Sequence, residues 1–280
     1  MMFTQPVIDC HHHVFDPKNF PWAPESAYNP DGHELATPDY YRAVMQAYNI
    51  RHSLIVGPTS GYNTDNRCLL DTIKRGEGRF KGIAVTPRDV DSDTLASLKD
   101  QGIVGIALNV AMLGTEPFLQ LDALMGRLAE LDLFAQIQVQ NDQLLALMPL
   151  LSRTRTRLLI DHSGRPDVGA GIAQPAFQAL LSLAGQQRTS VKLSGLAKFS
   201  RQPYPFSDGH PYLLALLDAF GAENCMWGSD WPFLRATERM DMGTQLLLLE
   251  QLIPDEKSRR QVLWHTPQRL FGFTELQESR

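Results

Sequence analysis

The chain has 280 residues, 43% of them hydrophobic, and a formal net charge of −5. This much apolar material excludes a disordered chain, and the length is normal for one α/β barrel. The charge argues against nucleic acid as a partner, because binding to phosphates needs a basic surface.

Membrane and secretory features are not expected. The leucine run 246–249 is far shorter than the roughly 20 residues that a membrane-spanning helix needs. The first residues lack the charged and apolar segments of a signal peptide. The cysteines Cys10, Cys68 and Cys225 form no Cys-x-x-Cys pair, which argues against a disulfide framework or a thiolate zinc site. The sequence therefore predicts a cytoplasmic protein that does not contact a membrane.

In chain order, short apolar runs typical of buried strands alternate with amphipathic stretches typical of helices. The predicted strands are 7–15, 52–56, 80–85, 103–110, 134–139, 158–161, 191–193 and 225–228. The clearest predicted helices are 38–48, 66–75, 118–131, 175–183 and 212–220. Strands and helices in this order favour a parallel sheet closed into a (β/α)8 TIM-type barrel, a single α/β domain that spans residues 1–280.

The segment 16–36, directly after the first strand, is long for a barrel loop. It contains four prolines and the aromatic residues Phe20, Trp22 and Tyr28. Because long loops within compact domains usually serve function, we expect an active-site loop that forms a lid or a pocket wall.

Polar residues lie where three of the predicted strands end. His11 and His13 lie on the first strand, His162 follows the sixth, and Asp230 follows the eighth. Side chains alternate along a strand, so His11 and His13 share one side and His12 points away. In a barrel the carboxyl ends of the strands meet at one face, and the eighth strand lies beside the first. We therefore expect a metal site or a set of acid and base groups there.

The remaining candidates for the site have simpler explanations. Asp161 should face away from His162, in a supporting role, and Arg165 is expected to stabilise a turn. The isolated histidines His33, His52, His210 and His265 are expected to be solvated or structural. The sequence contains no Gly-x-Ser-x-Gly elbow, Walker loop or Rossmann glycine fingerprint, which argues against a serine hydrolase of the α/β type and against a nucleotide cofactor.

Three ordered motifs resemble those of the amidohydrolase superfamily. They are Asp-x-His-x-His at 9–13, Asp-His-x-Gly-Arg-Pro at 161–166 and Trp-Gly-Ser-Asp-Trp-Pro at 227–232. Within the superfamily the chain is similar to the lactone hydrolases that include 2-pyrone-4,6-dicarboxylate lactonase. The resemblance implies that His11, His13 and His162 polarise a lactone carbonyl while Asp230 takes a proton from the attacking water.

The resemblance leaves the metal open. Related pyrone hydrolases use this set of residues without a metal ion, whereas other amidohydrolases hold zinc there. The fourth strand has no bridging lysine and the fifth offers Gln138 instead of a histidine, so a dinuclear site is not expected. We expect that no cofactor is required, although a single zinc on His11, His13, His162 and Asp230 is consistent with the ligand count.

Substrate selectivity should differ from that of the pyrone dicarboxylate enzymes, which carry arginines on strand four and after strand seven. Here strand four has Ala107, and the seventh strand leads to Lys198. This predicts a lactone with at most one carboxylate, or a hydroxylated sugar lactone. The residues expected to bind it are Tyr28, Ser60, Asn109, Gln138, Lys198 and Arg201.

Simpler explanations exist for three of these residues. Lys198 and Arg201 could be solvated loop cations, and Tyr28 could pack under its loop. Two other functions stay open, a zinc-dependent hydrolase or decarboxylase of the same superfamily and a non-catalytic binding protein on its scaffold. The sequence does not define the oligomeric state, so a homo-oligomer also stays open.

Overall fold

The computed structural model describes residues 4–26 and 28–274. Within them, eight strands are all parallel, and each pairs with the next one in the chain. The strands are β1 (Val7–His12), β2 (Ile50–Val56), β3 (Phe80–Ala84), β4 (Ile103–Asn109), β5 (Phe134–Gln138), β6 (Arg157–Ile160), β7 (Thr189–Leu193) and β8 (Cys225–Trp227).

The chain just after β8 returns to β1 and closes the barrel. His12 forms a parallel bridge with Trp231, and the backbone N–H of His13 donates to the Trp231 carbonyl at 2.9 Å. The (β/α)8 barrel predicted from the sequence is therefore confirmed.

Helices follow the strands. They are α1 (Pro38–Ala47), α2 (Arg67–Lys74), α3 (Ser92–Asp100), α4 (Val110–Leu113), α5 (Asp122–Glu130), α6 (Gln143–Arg153), α7 (Pro175–Ser182), α8 (Leu196–Phe199), α9 (His210–Phe220), α10 (Met242–Leu252), α11 (Glu256–Arg260) and α12 (Thr266–Phe271). A π-helical turn, Gln261–His265, connects the last two. Most of the helices surround the barrel, whereas the short helices α4 and α8 lie at its open end and contribute residues to the wall of a cavity there. No helix among the described residues is long and apolar enough to span a membrane.

Helix α1 shows how local sequence produces these elements. The hydroxyl of Thr37 accepts a hydrogen bond from the Tyr40 N–H at 3.3 Å, and Pro38 occupies the first turn. Both features favour a helix start at this point. Tyr41 and Met45, four residues apart, are buried against the barrel, which fixes the face that the helix presents.

Two apolar clusters divide the core. The larger one lies between the strands and the surrounding helices. The smaller one fills the barrel interior with Ile8, Leu54, Phe134 and Leu159, among others, and includes Phe273 near the end of the described chain. The carboxyl ends of the strands instead line an open cavity of ≈ 650 Å³, so one end of the barrel is packed and the other is accessible.

The first strand is shorter than predicted. The sequence places its end at residue 15, whereas β1 ends at His12. Phe15 leaves the sheet because its N–H donates to the Ala36 carbonyl at 2.8 Å, at the far end of the long loop. Val14 and Phe15 are buried outside the sheet, and the Phe15 ring lies 5.8 Å from that of Trp22 in the loop, so their apolar character reflects packing rather than strand structure.

Candidate active site

Four side chains converge at the open end of the barrel. The Nε2 atoms of His11 and His162 each lie 3.7 Å from Oδ1 of Asp230, and that of His13 lies 3.9 Å away. All four residues line the cavity. The structure therefore brings together the residues that the sequence singles out, around a space between three imidazoles and one carboxylate.

An irregularity in β1 helps to aim the histidines. The pairing of β1 with β2 shifts register between Asp9 and His12, where three steps along β1 match two along β2. Such a bulge re-aims side chains, and bulges are common beside active sites. His11 and His13 consequently both face the cavity, while His12 stacks on Tyr41 of α1 at a ring distance of 3.7 Å. The predicted outward orientation of His12 agrees with this placement.

Asp9 fixes the position of Asp230 through its neighbour in the chain. One oxygen of the buried Asp9 carboxylate accepts from the backbone N–H of Ser229 at 2.8 Å, and the other accepts from the Ser229 hydroxyl at 2.6 Å. The Tyr41 hydroxyl also donates to Asp9 at 2.6 Å. Asp9 thus connects the first and last strands directly beside the catalytic candidates.

The orientation expected for Asp161 is wrong. Strand β6 ends at Ile160, and Asp161 continues the inward alternation of Leu159, so its carboxylate lies inside the barrel. His162 has already left the strand, and its positive φ of 45° turns it back towards the cavity. Both side chains therefore point inward, and Asp161 supports the site directly by accepting from His11 Nδ1 at 2.9 Å.

Hydrogen bonds to Nδ1 fix the tautomers of two histidines. The Nδ1 atom of His13 lies 2.8 Å from the Val56 carbonyl oxygen, which can only accept. The Nδ1 atom of His11 lies 2.9 Å from the Asp161 carboxylate. We assign the proton to Nδ1 in both rings, so each neutral imidazole directs the lone pair of Nε2 towards Asp230. His162 differs, since its Nδ1 lies 3.2 Å from the Ser194 hydroxyl, which can donate to it and leave the proton on Nε2.

Burial determines the charges at the site. Burial lowers the pKa of His11 to about 3, and it also lowers the pKa of His13 and His162, so the three rings are neutral near pH 7. Burial alone would raise the pKa of Asp230. However, the Lys198 ammonium, 3.2 Å from Oδ2, lowers this pKa well below the ordinary range. Asp230 is therefore ionised.

The same atoms fit a divalent metal ion. Among the described residues, the buried Nε2 atom of His11 has no hydrogen-bond partner. His11, His13 and Asp230 each place one ligand atom within 4.8 Å of the others. Zinc commonly binds two imidazole nitrogens and one carboxylate oxygen. The hydrogen bonds from Nδ1 of both histidines to acceptors are also typical of zinc ligands.

Five of the six predicted substrate-binding residues line the cavity, namely Ser60, Asn109, Gln138, Lys198 and Arg201. Lys198 is engaged with Asp230 and with the Leu234 carbonyl, to which its ammonium donates at 2.8 Å. Arg201 is largely exposed and pairs with Asp167 at 2.6 Å. Lys198 is thus part of the central charge arrangement, whereas Arg201 lies at the rim.

Tyr28 is placed differently from the expectation. It is not among the residues that line the cavity. Its hydroxyl donates to Glu34, and the guanidinium of Arg235 lies 4.2 Å from the centre of its ring. Arg235 does line the cavity, so Tyr28 supports the wall from behind. No described residue of segment 16–36 lines the cavity. Trp22 in this segment packs against Tyr62.

Arg165, which the sequence analysis assigned only to a turn, lines the cavity, as does Arg235, which the sequence analysis did not single out. Arg165 lies at the cavity wall, is largely buried, and has a positive φ of 43°. Within residues 4–26 and 28–274 its guanidinium forms no hydrogen bond or salt bridge, so the expected bonding to nearby carbonyls is not observed. The sequence feature that could have identified Arg165 as a cavity residue is its position three residues after His162, at the carboxyl end of a barrel strand.

Comparisons with known proteins agree with this geometry. A family model described as amidohydrolase matches residues 8–273. The 4-sulfomuconolactone hydrolase of Rhizobium radiobacter is 31% identical over 274 residues, covering 94% of this chain and 89% of that protein. The 2-pyrone-4,6-dicarboxylate hydrolase of Comamonas testosteroni is 26% identical, with 94% and 89% covered.

A solved structure from Pseudomonas putida, provisionally assigned as a 2-pyrone-4,6-dicarboxylic acid hydrolase, is also similar. It superposes with a TM-score of 0.87 at 32% identity, and the match covers 97% of this chain and 99% of that one. The family model and the relatives therefore span almost the whole barrel, and the family model includes all three motifs of the site. The chain belongs to the amidohydrolase family.

Proposed function

We propose that the protein hydrolyses a lactone, with Asp230 as the base that activates water. One observation carries this proposal, the placement of three imidazole Nε2 atoms 3.7–3.9 Å from Oδ1 of Asp230 at the open end of the barrel. That arrangement has room for one water molecule between a base and hydrogen-bonding groups. The names of two relatives, a sulfomuconolactone hydrolase and a pyrone dicarboxylate hydrolase, supply the substrate class.

The assigned tautomers change the roles that the family resemblance implies for two of the histidines. With their protons on Nδ1, His11 and His13 have no Nε2 hydrogen with which to polarise the lactone carbonyl, so we assign that role to His162 alone. The attacking water donates one hydrogen to Asp230 and the other to the Nε2 lone pair of His11 or His13. Its oxygen bonds to the carbonyl carbon as Asp230 takes the proton. His162, whose Nε2 can carry a hydrogen, and the Lys198 cation face the oxyanion that develops. Collapse breaks the ring C–O bond, and Asp230 returns the proton to the departing ring oxygen.

The cavity favours a substrate with one anionic group. Arg165, Lys198 and Arg235 all line it, but Lys198 pairs with Asp230 and the Arg235 guanidinium lies over the Tyr28 ring. Among the described residues, the buried Nε atom of Arg165 has no hydrogen-bond partner. A planar guanidinium can bind a carboxylate or a sulfonate through two hydrogen bonds. Ser60, Asn109 and Gln138 provide neutral polar groups for the oxygens of the ring. We therefore favour a monoanionic lactone over a dicarboxylate.

A divalent ion is not required in this proposal. If one is bound, His11, His13 and Asp230 would hold it, and it would supply Lewis-acid polarisation of the carbonyl. The reason to expect turnover without it is that the Lys198 ammonium already places positive charge 3.2 Å from Asp230.

A panel of lactones, followed by proton release before and after chelation, tests the proposal. The panel contains a monoanionic butenolide, 2-pyrone-4,6-dicarboxylate and neutral sugar lactones, and an aromatic carboxylic acid is assayed in parallel for CO₂ release. We expect the fastest turnover with the monoanionic lactone. Fastest turnover with the dicarboxylate would contradict the substrate preference. Release of CO₂ from an aromatic acid without turnover of any lactone would favour a decarboxylase and contradict the proposed reaction.

A further inference from the structure

A fully buried lysine lies beneath the histidines, where the proposed reaction does not use it. Lys192, the fourth of the five residues of β7, is 0% exposed. Its Nζ atom donates to Oε1 of Gln136 at 2.6 Å and lies 3.5 Å from Oδ1 of Asp161. Burying an ammonium is costly, so lysines are almost never found at such depth without a partner. The position therefore needs an explanation beyond packing.

Gln136, Asp161 and Lys192 form what we call the floor cluster. Gln136 accepts from Lys192 through Oε1 and donates through Nε2 to Oδ2 of Asp161 at 3.3 Å. Lysine only donates, which fixes the orientation of the amide of Gln136. Asp161 is thereby held by both partners, and its Oδ1 atom accepts from Nδ1 of His11 at 2.9 Å.

Lys192 also lies 3.1 Å from Nδ1 of His11. That nitrogen cannot both donate to Asp161 and accept from Lys192. The shorter contact with the carboxylate assigns the proton to Nδ1, and the ammonium is then directed to Gln136 and Asp161. Lys192 does not line the cavity, so it can influence the reaction only through its neighbours.

We propose that Lys192 is a positioning residue that, together with Gln136, holds the Asp161 carboxylate in place. Asp161 in turn keeps the proton of His11 on Nδ1, so that the Nε2 lone pair of His11 is directed towards the attacking water. The predicted effect on turnover rests on the proposed hydrolysis, whereas the predicted position of the His11 proton rests only on the contacts within the floor cluster. Stability alone does not explain the cluster, because buried ion pairs can often be replaced by apolar residues without loss of stability. An apolar pair could not accept the Nδ1 hydrogen of His11.

The first test is Lys192→Met, which keeps a long side chain and removes the donor. We expect kcat to fall on the order of 10–100-fold, as is typical when a partner behind an active histidine is lost. We expect KM to change by less than about threefold, because Lys192 does not contact the cavity. Lys81→Met, on β3 and remote from the site, is the matched control and should keep kcat within about twofold of wild type.

A double variant keeps the proposal testable if the single variant does not fold. Lys192→Met leaves the Asp161 carboxylate buried without its cation, which can be strongly destabilising. Lys192→Met with Asp161→Asn removes both charges. We expect its kcat to be no lower than about that of Asp161→Asn alone, because both changes interrupt one chain of contacts. Multiplicative losses would contradict the proposal.

A readout that does not depend on turnover separates this inference from the proposed function. In ¹⁵N-histidine-labelled protein, the Nδ1–H of His11 should give a slowly exchanging downfield proton signal, identified by its loss in His11→Asn. Lys192→Met should shift or abolish this signal, and Lys81→Met should not. Loss of the signal in a protein that hydrolyses no lactone would refute the proposed function and support the positioning role. An unchanged signal and unchanged kcat in folded Lys192→Met would overturn the inference.

Discussion

Replacement of Arg165 by methionine tests whether the cavity is built for an anionic substrate. The guanidinium lies at the cavity wall and forms no hydrogen bond or salt bridge with the described residues, so its removal breaks no direct contact of this kind in the free protein. Methionine has an unbranched side chain like that of arginine. The backbone at position 165 already holds a non-glycine residue at a positive φ, so the substitution adds no new backbone strain. We expect the free energy of unfolding to change by about 0.5 kcal/mol or less.

The expected loss is in the use of the anionic substrate. A hydrogen bond to a charged group contributes about 1.5–3 kcal/mol. Loss of that interaction corresponds to about a 10- to 150-fold decrease in kcat/KM, since each 1.4 kcal/mol is about tenfold. Arg201→Met is the matched control. Its guanidinium is largely exposed and paired with Asp167, so we expect a decrease of less than about threefold.

The assay compares a carboxylate lactone with its primary amide, which keeps the ring and removes the charge. Arg165→Met should lose activity on the carboxylate and change by less than about twofold on the amide. Equal losses on both substrates would show that Arg165 supports the fold or the chemistry rather than the anion. No loss on either would refute the assignment of this residue to substrate binding.

Two further predictions concern Lys198 and the metal. Lys198 lowers the pKa of Asp230, against the effect of burial, so Lys198→Met should raise that pKa. Because the base is lost as the pH falls through its pKa, the acid limb of the kcat/KM profile should move to higher pH; an unmoved limb would contradict the role of Lys198. Chelation followed by gel filtration should leave turnover within about twofold, because Lys198 already supplies positive charge beside Asp230. Loss of activity that is restored by one equivalent of zinc would instead establish a metal-dependent reaction.

The sequence predicted the barrel and its four convergent residues because both depend on simple rules. Strand–helix alternation defines the fold, and the carboxyl ends of barrel strands define the face of the site. His11, His13, His162 and Asp230 could therefore be grouped although they lie far apart in the chain. No step in that argument required side-chain packing.

The orientations that failed depend on pairing and on where strands end. Alternation assigned Asp161 and His162 to opposite faces, but the strand ends one residue earlier and His162 adopts a positive φ. The bulge in β1 arises from register with β2, which is not visible in β1 alone. Lys192 could have been identified from the sequence, because it lies between apolar residues of a predicted buried strand. A lysine is buried at such a position only when it has a partner for its charge.

The central claim is that Asp230 removes a proton from water held between the three histidines. Asp230→Asn tests it most directly, because asparagine has nearly the same volume and tolerates the positive φ of 61° at this position. Proton release from the best lactone of the panel, measured for folded Asp230→Asn and wild type, should differ on the order of 10²–10⁴-fold in kcat. Turnover by the variant within about threefold of wild type would contradict the claim.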